Sequence, residues 1–141
     1  VYKRQIMFGA YNKRIKNVRT SNDWLTRDET VVDEYNAGKL TTFLFTVNGY
    51  RGLMNMILYV RKPRNIAKIP KNLPMLMVSG LDDPVGEYGK GVYRAYNTYH
   101  GHIDDIDLRL FEDCRHELCN ELNKEEIYEE IYGWIMNHMS K

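Results

Sequence analysis

The feature that most constrains this chain lies after Pro74, where the hydrophobic period changes twice within forty residues. Met75, Leu76, Met77 and Val78 form a short continuous apolar run ending at Ser79-Gly80. Such a run suits a strand buried on both faces. From about Glu87 to Tyr99 the apolar positions Val92, Tyr93, Tyr96 and Tyr99 fall at helical spacing, closed by His100-Gly101; this predicts a helix. Ile106, Leu108 and Leu110 then alternate with Asp107 and Arg109, extended by Phe111, which predicts a second strand nearer a sheet edge. Asn123 with Glu126 reads as a capping box. It opens a terminal helix whose one face carries Ile127, Ile131, Trp134, Ile135 and Met139. A strand, a helix and a strand at this spacing require a crossover and a parallel pair, so the fold class is α/β with helices packed on the sheet.

Upstream of that unit the pattern is less regular. Asp28 can cap a short helix bearing Val31, Val32 and Tyr35, stopped by Asn36-Ala37-Gly38. From about Asn48 to Val60, Leu53, Met56, Ile57 and Val60 recur every three or four residues, which predicts a helix with a buried stripe. Lys62 to Pro74 is a basic, proline-punctuated linker that cannot be helical throughout, and it marks a subdomain boundary. Val1 to Gln5 correspond to the codons GTG TAT AAG AGA CAG, a string resembling the inner end of a transposon-type sequencing adapter. They are read as a non-native scar, against the alternative of an ordinary basic arm. The division expected is thus residues 1–5 as scar, 6–62 as a helical cap, and 63–141 as an α/β core segment.

Composition excludes several classes of function. An apolar share of 43% with 28% charged residues is that of a folded globular chain. Twenty basic against nineteen acidic residues give no bulk charge to attract nucleic acid or an anionic membrane. No apolar run approaches the roughly 20 residues needed to span a bilayer. The two cysteines, Cys114 and Cys119, make a poor disulfide framework and match no zinc signature, so they read as packing residues in a reducing, cytoplasmic compartment. The expected partner is a small molecule, with no cofactor and no metal. His100, His102, Asp104 and Asp105 lack the spacing to finish a coordination shell. Gly86 to Gly91 is not a phosphate loop, because Val92 follows where Ser or Thr is needed.

In open α/β sheets the ligand site lies beyond the carboxyl ends of the strands. Two loops qualify: Ser79 to Gly86 offers carboxylates, and Glu112 to Glu117 offers an imidazole. A histidine serving as general base needs a carboxylate on Nδ1 to fix its tautomer. The bland alternative is a pair of helix-capping Asx turns and a surface histidine.

Gly80-Leu81-Asp82-Asp83-Pro84-Val85-Gly86 resembles the acid loop, and Arg115-His116-Glu117 the histidine loop, of the monoglyceride-lipase, lysophospholipase and serine-aminopeptidase group of α/β-hydrolases. Phe8 to Asn12 and Asn22 to Asp28 resemble cap-region motifs of its bacterial lysophospholipase-like members. The resemblance implies the C-terminal half of an α/β-hydrolase fold, its last parallel strands and helices, preceded by a helical cap or lid. It implies Asp83 as the triad acid, His116 as the general base, Asp82 as a solvated turn residue, and Arg115 and Glu117 as residues that hold the loop. It further implies a serine hydrolase acting on small, apolar-tailed carboxylic esters such as monoacylglycerols or lysophospholipids. The group also includes peptidases. Tyr50, Met54, Met56 and Tyr59 are candidates for an acyl-chain pocket, with ordinary core packing as the equal alternative.

One departure is decisive for the chain as given. The family nucleophile sits in a Gly-x-Ser-x-Gly elbow, and Ser21, Ser79 and Ser140 have no such context. The serine is therefore expected upstream, and the chain alone is expected to be inactive and poorly soluble. The competing reading is a small, non-catalytic α/β binding or interaction module.

Overall fold

The computed structural model describes residues 8–139; residues 1–5, set aside above as a scar, lie outside that range. Element order is helix α1 (Glu29–Ala37), α2 (Val47–Val60), α3 (Pro63–Ile66), strand β1 (Met75–Gly80), α4 (Lys90–His100), β2 (Ile106–Phe111), a 3-10 turn (Leu118–Asn120) and α5 (Lys124–Met139). The two strands pair in parallel, with Met75 opposite Ile106 and Gly80 opposite Phe111. The expected strand-helix-strand-helix order is therefore present. Because the strands run in register and in parallel, the loops that follow them emerge side by side from one end of the sheet.

Local chemistry explains most element limits. Asp28 caps α1 by accepting hydrogen bonds from the Thr30 and Val31 N–H groups. Gly38 ends it, and Val32 carries the buried face. Helix α4 begins at Lys90, three residues later than the apolar spacing suggests, because Glu87, Tyr88 and Gly89 all have positive φ (52°, 57° and 82°). A helix cannot propagate through left-handed residues, so it starts only after them. The linker contains one helical turn, α3, with Pro63 in its first turn where a missing N–H costs nothing, and Ile66 buried. At α5 the two expected capping-box residues meet side chain to side chain, without the backbone bonds of a capping box among the described residues. Asn123 donates to Glu126 at 3.3 Å, but its own oxygen accepts from Arg27 Nη2 at 2.6 Å.

Two burial expectations fail. Helix α2 has no buried residue, and Met56, Ile57 and Val60 of its apolar face are exposed. Amphipathic spacing identifies a face that favours cover, not the element that covers it. In β1 only Ser79 and Gly80 are buried, while Met75 to Val78 are half-buried, because a two-stranded sheet shields few of its side chains. The core instead gathers around Cys114, Leu118 and Ile127, with Val78, Phe111 and Ile131 against it. It thus lies beneath the loop that follows β2. Both cysteines are free, Cys114 buried as expected of a packing residue and Cys119 exposed. Among the described residues no helix is long and apolar enough to cross a membrane.

Candidate active site

Gly80, the last residue of β1, brings the two loops together. A Cβ placed there would lie 2.0 Å from the Cys114 carbonyl oxygen and 2.3 Å from that of Arg115, so only glycine permits this approach. The closeness is used. Leu81 N–H donates to Phe111 O and Asp82 N–H donates to Cys114 O, both at 2.9 Å, which welds the acid loop to the histidine loop through backbone atoms. Asp113, with φ of 53°, supplies the left-handed turn that reverses the second loop.

From these loops Asp83 and His116 converge. His116 Nδ1 lies 3.1 Å from Asp83 Oδ2. The other carboxylate oxygen accepts from Val85 N–H at 2.8 Å, which fixes the carboxylate plane. Asp83 is buried, whereas the His116 side chain is 37% exposed. Since a carboxylate only accepts, Nδ1 carries the proton and Nε2 keeps its lone pair. No hydrogen bond to Nε2 occurs among the described residues. The bond to Asp83 raises the His116 pKa; burial opposes the rise, and the negative charges of Asp83 and Glu117 add to it. Asp82, by contrast, is exposed.

Residues 3–123 match the family described as Serine aminopeptidase, S33. The chain belongs to that family. Among solved structures, a highly thermostable carboxyl esterase from Bacillus coagulans in complex with glycerol is similar to it, with a TM-score of 0.81 at 23% identity, over 99% of this chain and 44% of that one. A lipase in its open form gives a TM-score of 0.77 at 23% identity, over 91% of this chain and 42% of that one. Among curated proteins nothing matches. The fold is that of the C-terminal part of an α/β-hydrolase, and the chain spans less than half the length of those two structures.

In this S33-family chain the histidine loop has a second support that sequence reasoning missed. Residues 22–26 are all buried yet form neither helix nor strand. Two of their carbonyls and one hydroxyl bond to the backbone of the loop and the turn after it. His116 N–H donates to Trp24 O at 3.4 Å, Glu117 N–H to Leu25 O at 2.7 Å, and the Thr26 hydroxyl to Asn120 O at 2.7 Å. Arg115 does hold the loop, as expected: its Nη1 donates to Asp23 O at 2.7 Å and Thr26 O at 2.9 Å. Glu117 does so more locally, accepting from Asn120 Nδ2 at 2.8 Å.

Glu121 closes the arrangement. Its side chain is fully buried, and its carboxylate accepts from Arg115 N–H at 2.7 Å and Arg27 Nε at 2.8 Å. A buried carboxylate is tolerated because a guanidinium and backbone donors satisfy it. The signal for this pair was a lone glutamate amid polar neighbours, which spacing cannot distinguish from a solvated one.

An aromatic wall flanks the imidazole. The Trp24 ring lies 5.1 Å from the His116 ring, and Tyr11 meets Trp24 edge-on at 5.0 Å. Burial, and after it the Asp83 charge, raises the Tyr11 pKa. Trp24 also borders a groove of about 410 Å³ lined by Tyr35, Leu40, Phe43, Leu44, Phe45 and Tyr50. Of the four acyl-pocket candidates named from sequence, Tyr50 lines this groove, while Met54, Met56 and Tyr59 do not.

Proposed function

We propose that this chain is the C-terminal part of a serine hydrolase that cleaves small carboxylic esters with apolar tails, of the monoacylglycerol or lysophospholipid kind. Asp83 and His116 complete a triad whose serine lies upstream. The observation that carries this reading is the 3.1 Å contact between Asp83 Oδ2 and His116 Nδ1, formed at the carboxyl ends of adjacent parallel strands. That is where open α/β sheets put their chemistry.

The mechanism follows from which nitrogen is engaged. With Nδ1–H held by Asp83, Nε2 is left to take the serine proton as the hydroxyl attacks the acyl carbonyl. Asp83 then steadies the imidazolium electrostatically without taking the proton itself. His116 returns the proton to the leaving alkoxide, and water repeats the cycle on the acyl-enzyme. The Glu121 and Arg27 pair, the Gly80 approach and the Asn22–Thr26 strap prevent the imidazole from drifting. Restraint of this kind matters because a misplacement of about 1 Å can cost on the order of 10²-fold in rate. The apolar lining of the groove beside Trp24 supports an apolar tail on the substrate.

The test is turnover of short-chain p-nitrophenyl esters by the upstream-extended polypeptide. Asp83→Asn and His116→Ala are each expected to suppress it, and Asp82→Asn to leave most of it. Full turnover in His116→Ala would return the chain to the non-catalytic binding-module reading. Equal losses at Asp82 and Asp83 would leave the acid unassigned.

A further inference from the structure

Away from the strand ends that carry Asp83 and His116, a second set of side chains converges at the opposite end of the sheet. Asp105 lies just before β2, Asp107 within it, and His138 in the last turn of α5. One donor atom from each falls within 4.8 Å of the others. Trp134 orients two of them. Its carbonyl lies 2.7 Å from His138 Nδ1, and since a carbonyl only accepts, that nitrogen carries the proton. Nε2 is thereby turned toward the carboxylates, 3.3 Å from Asp105 Oδ2. The Trp134 ring stacks on the imidazole at 4.0 Å, and its Nε1 donates to Asp107 Oδ2 at 2.8 Å. One tryptophan therefore fixes two of the three donors, and an imidazole with its far N–H on a backbone carbonyl has the outer-shell support typical of metal-ligating histidines.

We propose that this trio binds a divalent transition-metal ion of the Zn²⁺ type, through His138 Nε2 and one oxygen each from Asp105 and Asp107, with water completing the shell. Charge favours it, because two carboxylates face one imidazole. The nearby cation, Arg109, stands 3.6 Å from Asp107 while its Nε is held by Glu130 at 2.8 Å. Ligand type selects the metal: an imidazole suits Zn²⁺, Ni²⁺ or Cu²⁺, whereas Ca²⁺ and Mg²⁺ favour all-oxygen shells. Zinc bonds of about 2.0–2.2 Å in a tetrahedral shell put neighbouring donors roughly 3.4 Å apart. The Asp105 to His138 separation, 3.3 Å, is close to that value, and all three donors lie within 4.8 Å of one another. The ion would tie the end of α5 to the start of β2, a structural role remote from the proposed ester chemistry.

The test is calorimetric titration of ZnCl₂ into chelator-stripped protein, run on this chain and on its upstream-extended form, with circular dichroism checking the fold of each variant. Saturable one-to-one binding is expected. His138→Gln and Asp107→Asn should each weaken it at least about tenfold, and so should Trp134→Phe, which keeps all three ligands but loses the indole donor. His102→Ala, which removes a nearby imidazole whose Nε2 faces Ile69 O rather than the trio, should leave binding unchanged. Absence of binding in both forms, or binding that survives His138→Gln and His138→Ala, overturns the site and shows an ion pair only.

Discussion

Gly80→Ala separates a site held by geometry from one merely near the right residues. The new Cβ would stand 2.0 Å from Cys114 O, 2.3 Å from Arg115 O and 2.4 Å from the Cys114 carbonyl carbon, where real Cβ atoms keep at least 3.0 Å. All three neighbours are backbone, so no side chain can swing aside, and the histidine loop has to retreat by about 1 Å. That displacement breaks the Asp82 N–H to Cys114 O bond and stretches the 3.1 Å Asp83 to His116 contact beyond hydrogen-bonding range. Overpacking of this sort costs typically about 1–3 kcal/mol, and rigid backbone neighbours put Gly80 at the upper end. For function, a shift of about 1 Å should lower ester kcat on the order of 10²-fold in the upstream-extended polypeptide. Urea unfolding and stopped-flow ester hydrolysis give the two quantities. NMR titration of His116 gives a third, since loss of the Asp83 bond should let its pKa fall back. If Gly80→Ala keeps its unfolding midpoint, its turnover and its His116 pKa, the close approach is not what holds the histidine.

Three further outcomes follow from the same geometry. Because the Asp83 bond raises the His116 pKa, the pair stabilises the fold fully at low pH, and that contribution is lost as pH rises through the raised pKa. Turnover needs the neutral ring, so its acid limb should sit above the usual imidazole range and move down in Asp83→Asn; a limb that stays put would contradict the assignment. Glu121→Ala leaves Arg27 Nε and the Arg115 N–H without their acceptor, while Arg27 Nη2 keeps Asn123, and the loss should cost about 1–3 kcal/mol, read from denaturant midpoints. An effect near zero would show that the strap is not under tension from this pair. Phe43→Ser in the groove beside Trp24 should raise KM for long-chain over short-chain p-nitrophenyl esters by roughly 10-fold or more. Equal effects on both substrates would detach the groove from the acyl chain.

The sequence by itself determined the strand-helix-strand-helix order, the parallel pairing that follows from it, the Asp28 cap and the loops bearing Asp83 and His116. These are legible because hydrophobic period and turn chemistry are local, and because a strand end announces itself through an apolar run closed by glycine. Even locally there was a limit, since three successive left-handed residues delay α4 to Lys90. Tertiary structure alone decided what holds the imidazole. Glu121 lies some ninety positions from Arg27 and the Asn22–Thr26 strap, and neither burial of a carboxylate nor a backbone bond from His116 to Trp24 leaves a periodic trace. The same reason hid the Asp105, Asp107 and His138 trio, which sequence reading missed by grouping Asp105 with His100 and His102. His102 instead points its Nε2 at Ile69 O. Spacing reveals which side chains share an element's face, and only the folded chain reveals which faces meet.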